Sequence, residues 1–169
     1  MGDLGHLGRR DGFVLPDVDD PVGDGFWAGT AAGELRIQAC GRCGARRMPP
    51  RVGCPRCRST AVRWDAMSGR ARIWSFVVAH PPLLPDYAAE APYNVVVVEL
   101  VEDPGIRLVG NVVAHAGARL DSVDPAALAV GAEVSVVFTR VAADVWLPQW
   151  VLTGTGGRGT RRSPAAPVS

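Results

Sequence analysis

Apolar positions change period once along this chain of 169 residues. From Asp24 the stretch GFWAGTAAGELRIQAC sets Phe26, Trp27, Thr30, Ala31 and Leu35 at helical spacings, which predicts a short amphipathic helix. Gly29 and Gly33 weaken that helix by roughly 1 kcal/mol each. Beyond Gly69 the pattern turns to β. Five runs rich in Val, Ile, Phe or Trp follow, at 71–80, 93–100, 106–115, 132–140 and 144–152, most of them bounded by Pro, Gly or Asp. Between the third and fourth, Asp124-Pro125 before AALAV supplies an N-cap and a Pro at N1, the signature of a short helix.

Five strands with one short helix between the third and fourth predict a small Greek-key barrel of the OB type, with a β-sandwich as the competing architecture. The connection HPPLLPDYAAEAP, 80–92, is long and carries four prolines; it reads as a binding loop or an irregular solvent loop. The expected organisation is therefore a flexible leader or linker at 1–23, a helix and metal segment at 24–66, the barrel at 67–152 and a disordered tail at 153–169. The tail holds a formal G-x-G-x-x-G at Gly154, Gly156 and Gly159. No βαβ unit follows it, so it does not read as a dinucleotide fingerprint.

Composition narrows the chemistry. With 47% hydrophobic and 21% charged residues the chain has a core to bury, and a formal net charge of +1 advertises no anionic partner through an overall field. All 18 basic residues are Arg, which excludes Schiff-base and lysine-base chemistry. The longest apolar run, Val95 to Val98 with Leu100 and Val101 beside it, falls far short of the roughly 20 residues of a membrane span. The beginning MGDLGHLGRRDGF has no apolar h-region, and His6 stands where a myristoylation signal needs Ser or Thr, so a cytoplasmic location is expected.

The strongest signal is the cysteines. Cys40-Gly-Arg-Cys43 and Cys54-Pro-Arg-Cys57 are two Cys-x-x-Cys pairs separated by Gly44 to Gly53, the pattern of metal binding rather than of two disulfides. Two such knuckles complete a tetrahedral four-thiolate site at Zn–S distances of about 2.3 Å, and Gly44 suits the left-handed turn that follows a knuckle. Four thiolates leave no open position for water, so one structural Zn2+ is expected, with iron as an electron carrier the alternative. From Cys40 to Trp64 the chain holds seven arginines and no acid, against the −2 of zinc on four thiolates, which leaves about +5 on one small lobe. Arg46, Arg47, Arg51 and Arg56 are the candidates to hold phosphates, of a coenzyme A moiety or of a nucleic acid; equally, the arginines neutralise and solubilise the ribbon.

No catalytic constellation is legible. The cysteines are committed to metal, His6, His80 and His115 read as leader or strand-end residues, and there is no G-x-S-x-G elbow, Walker loop or HExxH. Tyr87 and Tyr93 read as packing or as lining beside the long loop.

The motif order carries a resemblance. Phe26-Trp27, then ELRIQACGRCG from Glu34, MPPR at 48–51, CPRC at 54–57, SGRARIWSF at 68–76, APY at 91–93 and VGAEVSVVF at 130–138 together resemble the zinc-ribbon plus OB-fold proteins catalogued as domain of unknown function thirty-five. The resemblance covers about residues 24–152 and implies a rubredoxin-like ribbon ahead of a five-stranded OB barrel, with Cys40, Cys43, Cys54 and Cys57 as zinc ligands. It implies an accessory subunit of thiolase-superfamily enzymes: thiolases and hydroxymethylglutaryl-CoA synthases in archaea, and thiolase-like aldolases that shorten steroid side chains in actinobacteria. Some members of the family are fused to a hot-dog-fold enoyl-CoA hydratase, for which the Gly- and Asp-rich leader would serve as a linker. The all-Arg, Ala- and Val-rich composition favours the aldolase branch. On this reading Phe26 and Trp27 are expected to be exposed and to anchor the partner, unless they pack against the ribbon; the barrel and the 80–92 loop are expected to accommodate an acyl group, and the barrel to dimerise within the hetero-oligomer. The competing class is a zinc-ribbon and OB-fold nucleic-acid module, which the acids offsetting the barrel's arginines disfavour.

Overall fold

A computed structural model describes residues 9–10 and 13–154 of the chain; the expectations for His6 and for residues 155–169, including most of the Gly154 motif, lie outside them. In chain order the elements are β1 (Arg9–Arg10), β2 (Phe13–Val14), α1 (Asp24–Ala31), β3 (Leu35–Cys40), β4 (Arg46–Arg47), β5 (Val62–Met67), β6 (Arg70–Ala79), α2 (Pro85–Ala88), β7 (Tyr93–Leu100), β8 (Arg107–Gly110), β9 (Glu133–Arg140) and β10 (Trp146–Leu152), with a 3-10 turn at Pro125–Ala127. No helix among them is long and apolar enough to cross a membrane.

The expected helix forms at α1, and its glycines are there for contacts rather than as weaknesses. A Cβ on Gly25 would stand 2.2 Å from the Trp64 indole, so β5 can lie against the helix only because that position is bare. Gly33, at φ +75°, ends the helix in the left-handed region: the Glu34 amide donates to the Gly29 carbonyl at 2.8 Å and the Gly33 amide to that of Thr30 at 3.1 Å, a Schellman closure.

The sheet order β4-β3-β5 forms the ribbon layer, and β10-β9-β6-β7-β8 forms an antiparallel sheet that curls into an OB-type barrel. Closure is made just past β8. Residues 111–113 leave the β7 ladder and pair in parallel with β10, where the Trp150 amide donates to the Asn111 carbonyl and the Val113 amide to that of Trp150. The strand expected over 106–115 therefore stops at Gly110, because the backbone groups beyond it turn to a different partner. At the next connection Asp124 caps the Pro125–Ala127 turn through its side chain, as expected of Asp-Pro.

One buried cluster joins Phe26, Leu35 and Ile37 of the helix and ribbon to Ile73, Val98, Leu108 and Trp150 of the barrel. The two halves share a core. Two expectations need correction here. The second half of the predicted flexible leader packs on the barrel, since Leu15 is buried against Ala142 and Val145. The 80–92 connection holds one helical turn, α2, with Pro85 at its start.

Candidate zinc centre and the surfaces around it

β3 delivers Cys40 at its last residue, and the chain then folds into the first knuckle: the Cys40 amide donates to the Ala45 carbonyl, the Gly44 amide to that of Cys40, and Gly44 takes φ +73°. The second knuckle repeats the scheme, the Cys54 amide donating to Ser59 and the Arg58 amide to Cys54, with Arg58 itself at φ +60°. The two turns bring Sγ of Cys40 to 3.6 Å from that of Cys57, and Sγ of Cys43 to 3.7 Å from that of Cys54; all four lie within 4.8 Å of one another. Sulfurs on a tetrahedron of 2.3 Å radius are separated by about 3.8 Å, whereas a disulfide needs about 2.05 Å. The four cysteines are positioned to bind one zinc ion.

The electrostatics differ among Cys40, Cys54 and Cys57. Amides of Cys43 and Arg42 facing Cys40 bring it down to about 6, and the Cys57 amide also lowers Cys54. The Ser59 amide favours the Cys57 thiolate too, but burial and the other three sulfurs outweigh it and push Cys57 up to about 11. A bound dication reverses that last effect by pairing with the accumulated negative charge.

The four arginine candidates are not one cluster. Arg47 is only 7% exposed: its Nε donates to Gln38 Oε1 at 2.6 Å and Nη2 to the Arg51 carbonyl at 3.2 Å, making it an internal brace of the ribbon. That corrects its expected role at a phosphate. Arg46 projects from the other face of the same short strand and pairs with Asp65 at 2.9 Å and Asp103 at 3.8 Å. Asp65 also takes Arg63, at 2.8 Å, and those two guanidinium contacts, Arg63 first, hold its carboxyl below the usual range. Asp65 stands one residue past the acid-free segment, so the lobe carries less than the charge expected of it. Arg51 and Arg56 are exposed and make no ion pair among the described residues.

Phe26 is 5% exposed and belongs to the core, which corrects its expected place on a partner surface; Trp27, half-buried, meets it edge-on at 4.9 Å between centroids. His80 is exposed directly after β6, whereas His115, expected at a strand end, is exposed in a bend five residues past β8 because that strand stops at Gly110. Tyr93 is buried, with its centroid 6.4 Å from that of Tyr87.

Two features escaped the sequence reading. The outward face of β6, β7 and β8 is apolar: Trp74 is 47% exposed and Val109 68%, Val77 is exposed, and Val95 and Val97 fill in between. Arg107 lies over the Trp74 ring at 3.9 Å and faces Glu99. The signal was the unbroken run Val95 to Val98, since a strand with only one face to bury alternates. The second is a groove of about 1020 Å³ between α1, the strap before it, Met48–Pro50, β8 and β10.

Comparison with known proteins agrees with this architecture. The model of the ChsH2 rubredoxin-like zinc ribbon domain matches residues 27–63, and that of the ChsH2 C-terminal OB-fold domain matches residues 64–139. The chain is 33% identical over 127 residues to the 3-oxo-4,17-pregnadiene-20-carboxyl-CoA hydratase alpha subunit of Mycobacterium tuberculosis, covering 75% of this chain and 35% of that protein. It is 40% identical over 99 residues to a probable enoyl-CoA hydratase alpha subunit of Thermomonospora curvata, covering 57% of this chain and 29% of the relative. A DUF35 domain-containing scaffold protein of Methanothermobacter thermautotrophicus is 34% identical over 103 residues, 60% of this chain and 69% of that one. The chain thus spans about a third of the length of the two hydratase subunits. A chain of the solved Ltp2-ChsH2(DUF35) aldolase superposes with a TM-score of 0.68 at 28% identity, covering 79% of this chain and 95% of that one.

Proposed function

The chain belongs to the ChsH2 family of zinc-ribbon and OB-fold proteins, and from that membership we propose that it is a non-catalytic accessory subunit of an acyl-CoA enzyme. The finer reading is a thiolase-superfamily aldolase as partner, cleaving a carbon–carbon bond in the side chain of a steroid-type acyl-CoA. The observation that carries this is the likeness along 95% of a chain from an aldolase complex. Zinc held by four thiolates is coordinately closed and fits a structural role in such a subunit.

The barrel, 67–152, is the docking unit in this reading, and the outward face of β6–β8 is the surface assigned to the partner. Trp74, Val77 and Val109 provide apolar area of the kind that anchors an interface, rimmed by the Arg107–Glu99 and Arg72–Glu133 pairs. Trp27 contributes at most an edge. The ribbon, 24–66, carries Arg51 and Arg56 as the cations for a CoA phosphate at the subunit boundary. The nucleic-acid alternative loses its basic track, since Arg47 is internal and Arg46 is neutralised.

Affinity purification of the tagged, zinc-loaded chain from its own host tests the role: a thiolase-like acyl-CoA enzyme is expected to co-elute, and nucleic acid or ribosomal proteins in its place would overturn it. Calorimetric titration with acyl-CoA esters, with and without that enzyme, tests the CoA contact, which absence of heat in both would remove.

A further inference from the structure

One side of β6 is paired over only part of its length. Residues 70–72 of this strand lie against β9, and the last bonds on that side belong to Ile73, whose amide donates to the Ala132 carbonyl at 3.0 Å and whose carbonyl accepts the Gly131 amide at 2.7 Å. Over 75–79 the strand pairs with β7 alone, and its other edge makes no hydrogen bond among the described residues. The connection that follows is drawn to the opposite side of the sheet: Arg119 Nη2 donates to the Ala89 carbonyl at 2.8 Å and the Leu120 amide to the Glu90 carboxylate at 2.9 Å, and both of those residues line the groove beside β8.

A bare edge is a template for another strand, and proteins guard such edges with Lys, Pro or a bulge. This one is unguarded. Its sequence, Ser-Phe-Val-Val-Ala, holds no charge and no Pro, the one irregularity lies before it at Trp74, and Val77 in its middle is 62% exposed. Unpaired backbone donors and acceptors call for a strand as occupant. The edge is complementary to its own image: run antiparallel, two copies meet without a like-charge contact, and Pro81-Pro82, having no amide to donate, end the pairing just past His80. Keeping outward side chains on one side of a joined sheet requires the two-fold axis to pass through a residue rather than between two. Val77 is the residue at the centre.

We propose that two copies of this chain pair antiparallel along the β6 edge at 75–79, about a two-fold axis at Val77, and so join their sheets into one. Val77 faces Val77, Ser75 faces Ala79 and Phe76 faces Val78, an isologous contact. So short a seam sits at the low end of specific interfaces, and a Kd on the order of 10 μM is expected. The pairing lies in the plane of the sheet, leaves the outward face of β6–β8 open, and stands or falls separately from the accessory role.

Sedimentation equilibrium on the zinc-loaded full chain is expected to show a monomer passing to a dimer as concentration rises through that Kd. Val77→Lys and Val77→Glu are each expected to weaken self-association by more than about tenfold, because the axis sets each new charge against its own copy, and an equimolar mixture of the two is expected to restore it. Both melt near the wild-type temperature at a concentration where the wild type is monomeric, since the position is largely exposed. A wild type that stays monomeric well above that Kd, a dimer indifferent to both substitutions, or a mixture as weak as either variant alone overturns the proposal. Amide exchange on the wild type tests the seam without any variant: exchange at 75–79 is expected to slow as concentration rises, and association that leaves those amides unprotected overturns it as well.

Discussion

Asn94 holds Val112 through both ends of its side-chain amide: Nδ2 donates to the Val112 carbonyl at 2.8 Å and Oδ1 accepts the Val112 amide at 2.6 Å. Both residues are fully buried, and the Asn111 side chain returns a bond to the Asn94 carbonyl. The amide acts as a strand partner for one residue at the point where the chain leaves β7 to close the barrel on β10. Asn94→Leu keeps the volume roughly and leaves two buried backbone groups unpaired. A loss of about 3 kcal/mol is expected, seen as a melting temperature lower by about 6–12 °C.

Because Phe26, Leu35 and Ile37 share a core with the barrel, the ribbon does not melt by itself. Zinc removal by a strong chelator, or Cys54→Ser, is expected to lower one cooperative calorimetric transition and to leave it single. Two separate transitions, with the barrel unmoved, would contradict the shared core. Metal analysis is expected to give one zinc per chain.

Asp65 collects Arg63 and Arg46 with its side chain largely buried. Its folded pKa is depressed, by the Arg63 hydrogen bond first. Its contribution is therefore present above the unfolded carboxylate value of about 3.9 and is lost as pH falls through the lower folded value. Asp65→Asn is expected to cost about 1 kcal/mol of unfolding free energy, read from urea denaturation at pH 7. The gap between the two proteins stays flat from about pH 7 to pH 5, and narrows only below about pH 4.

The outward face of β6–β8 is testable without touching the core. Trp74→Ala combined with Val109→Asp is expected to weaken association with the captured enzyme by more than about tenfold, as loss of a central aromatic anchor does. The melting temperature of the free chain should hardly move, since both side chains are substantially exposed. Unchanged association would remove this face from the interface.

The parts of the molecule legible in the sequence are those where local spacing is the cause. Cys-x-x-Cys twice, with Gly44 after the first pair, is a short-range pattern, and it produced the zinc site; the β-rich runs produced the barrel strands to within a few residues. What stayed hidden depends on residues far apart in the chain. Arg46 and Arg47 are adjacent and alike in sequence, yet a two-residue strand sends one to Asp65 and the other inward to Gln38. Phe26 and Trp27 look like one aromatic patch until the core takes the first. Gly29 looks like a helix weakener until Arg36 and the Glu34 carbonyl close to 2.8 Å of where its Cβ would stand. Asn94 sits in a valine strand with nothing nearby to announce its bond to a residue 18 positions on.

The central claim, that this chain supports an acyl-CoA enzyme without performing the chemistry, is tested most directly by the turnover of the captured enzyme on its acyl-CoA substrate with and without the zinc-loaded chain. Turnover that collapses when the chain is withheld, and returns on adding it back with one zinc per chain, is the predicted result. An enzyme equally active and equally stable alone, or an acyl-CoA reaction carried by this chain in the absence of any other protein, would contradict it.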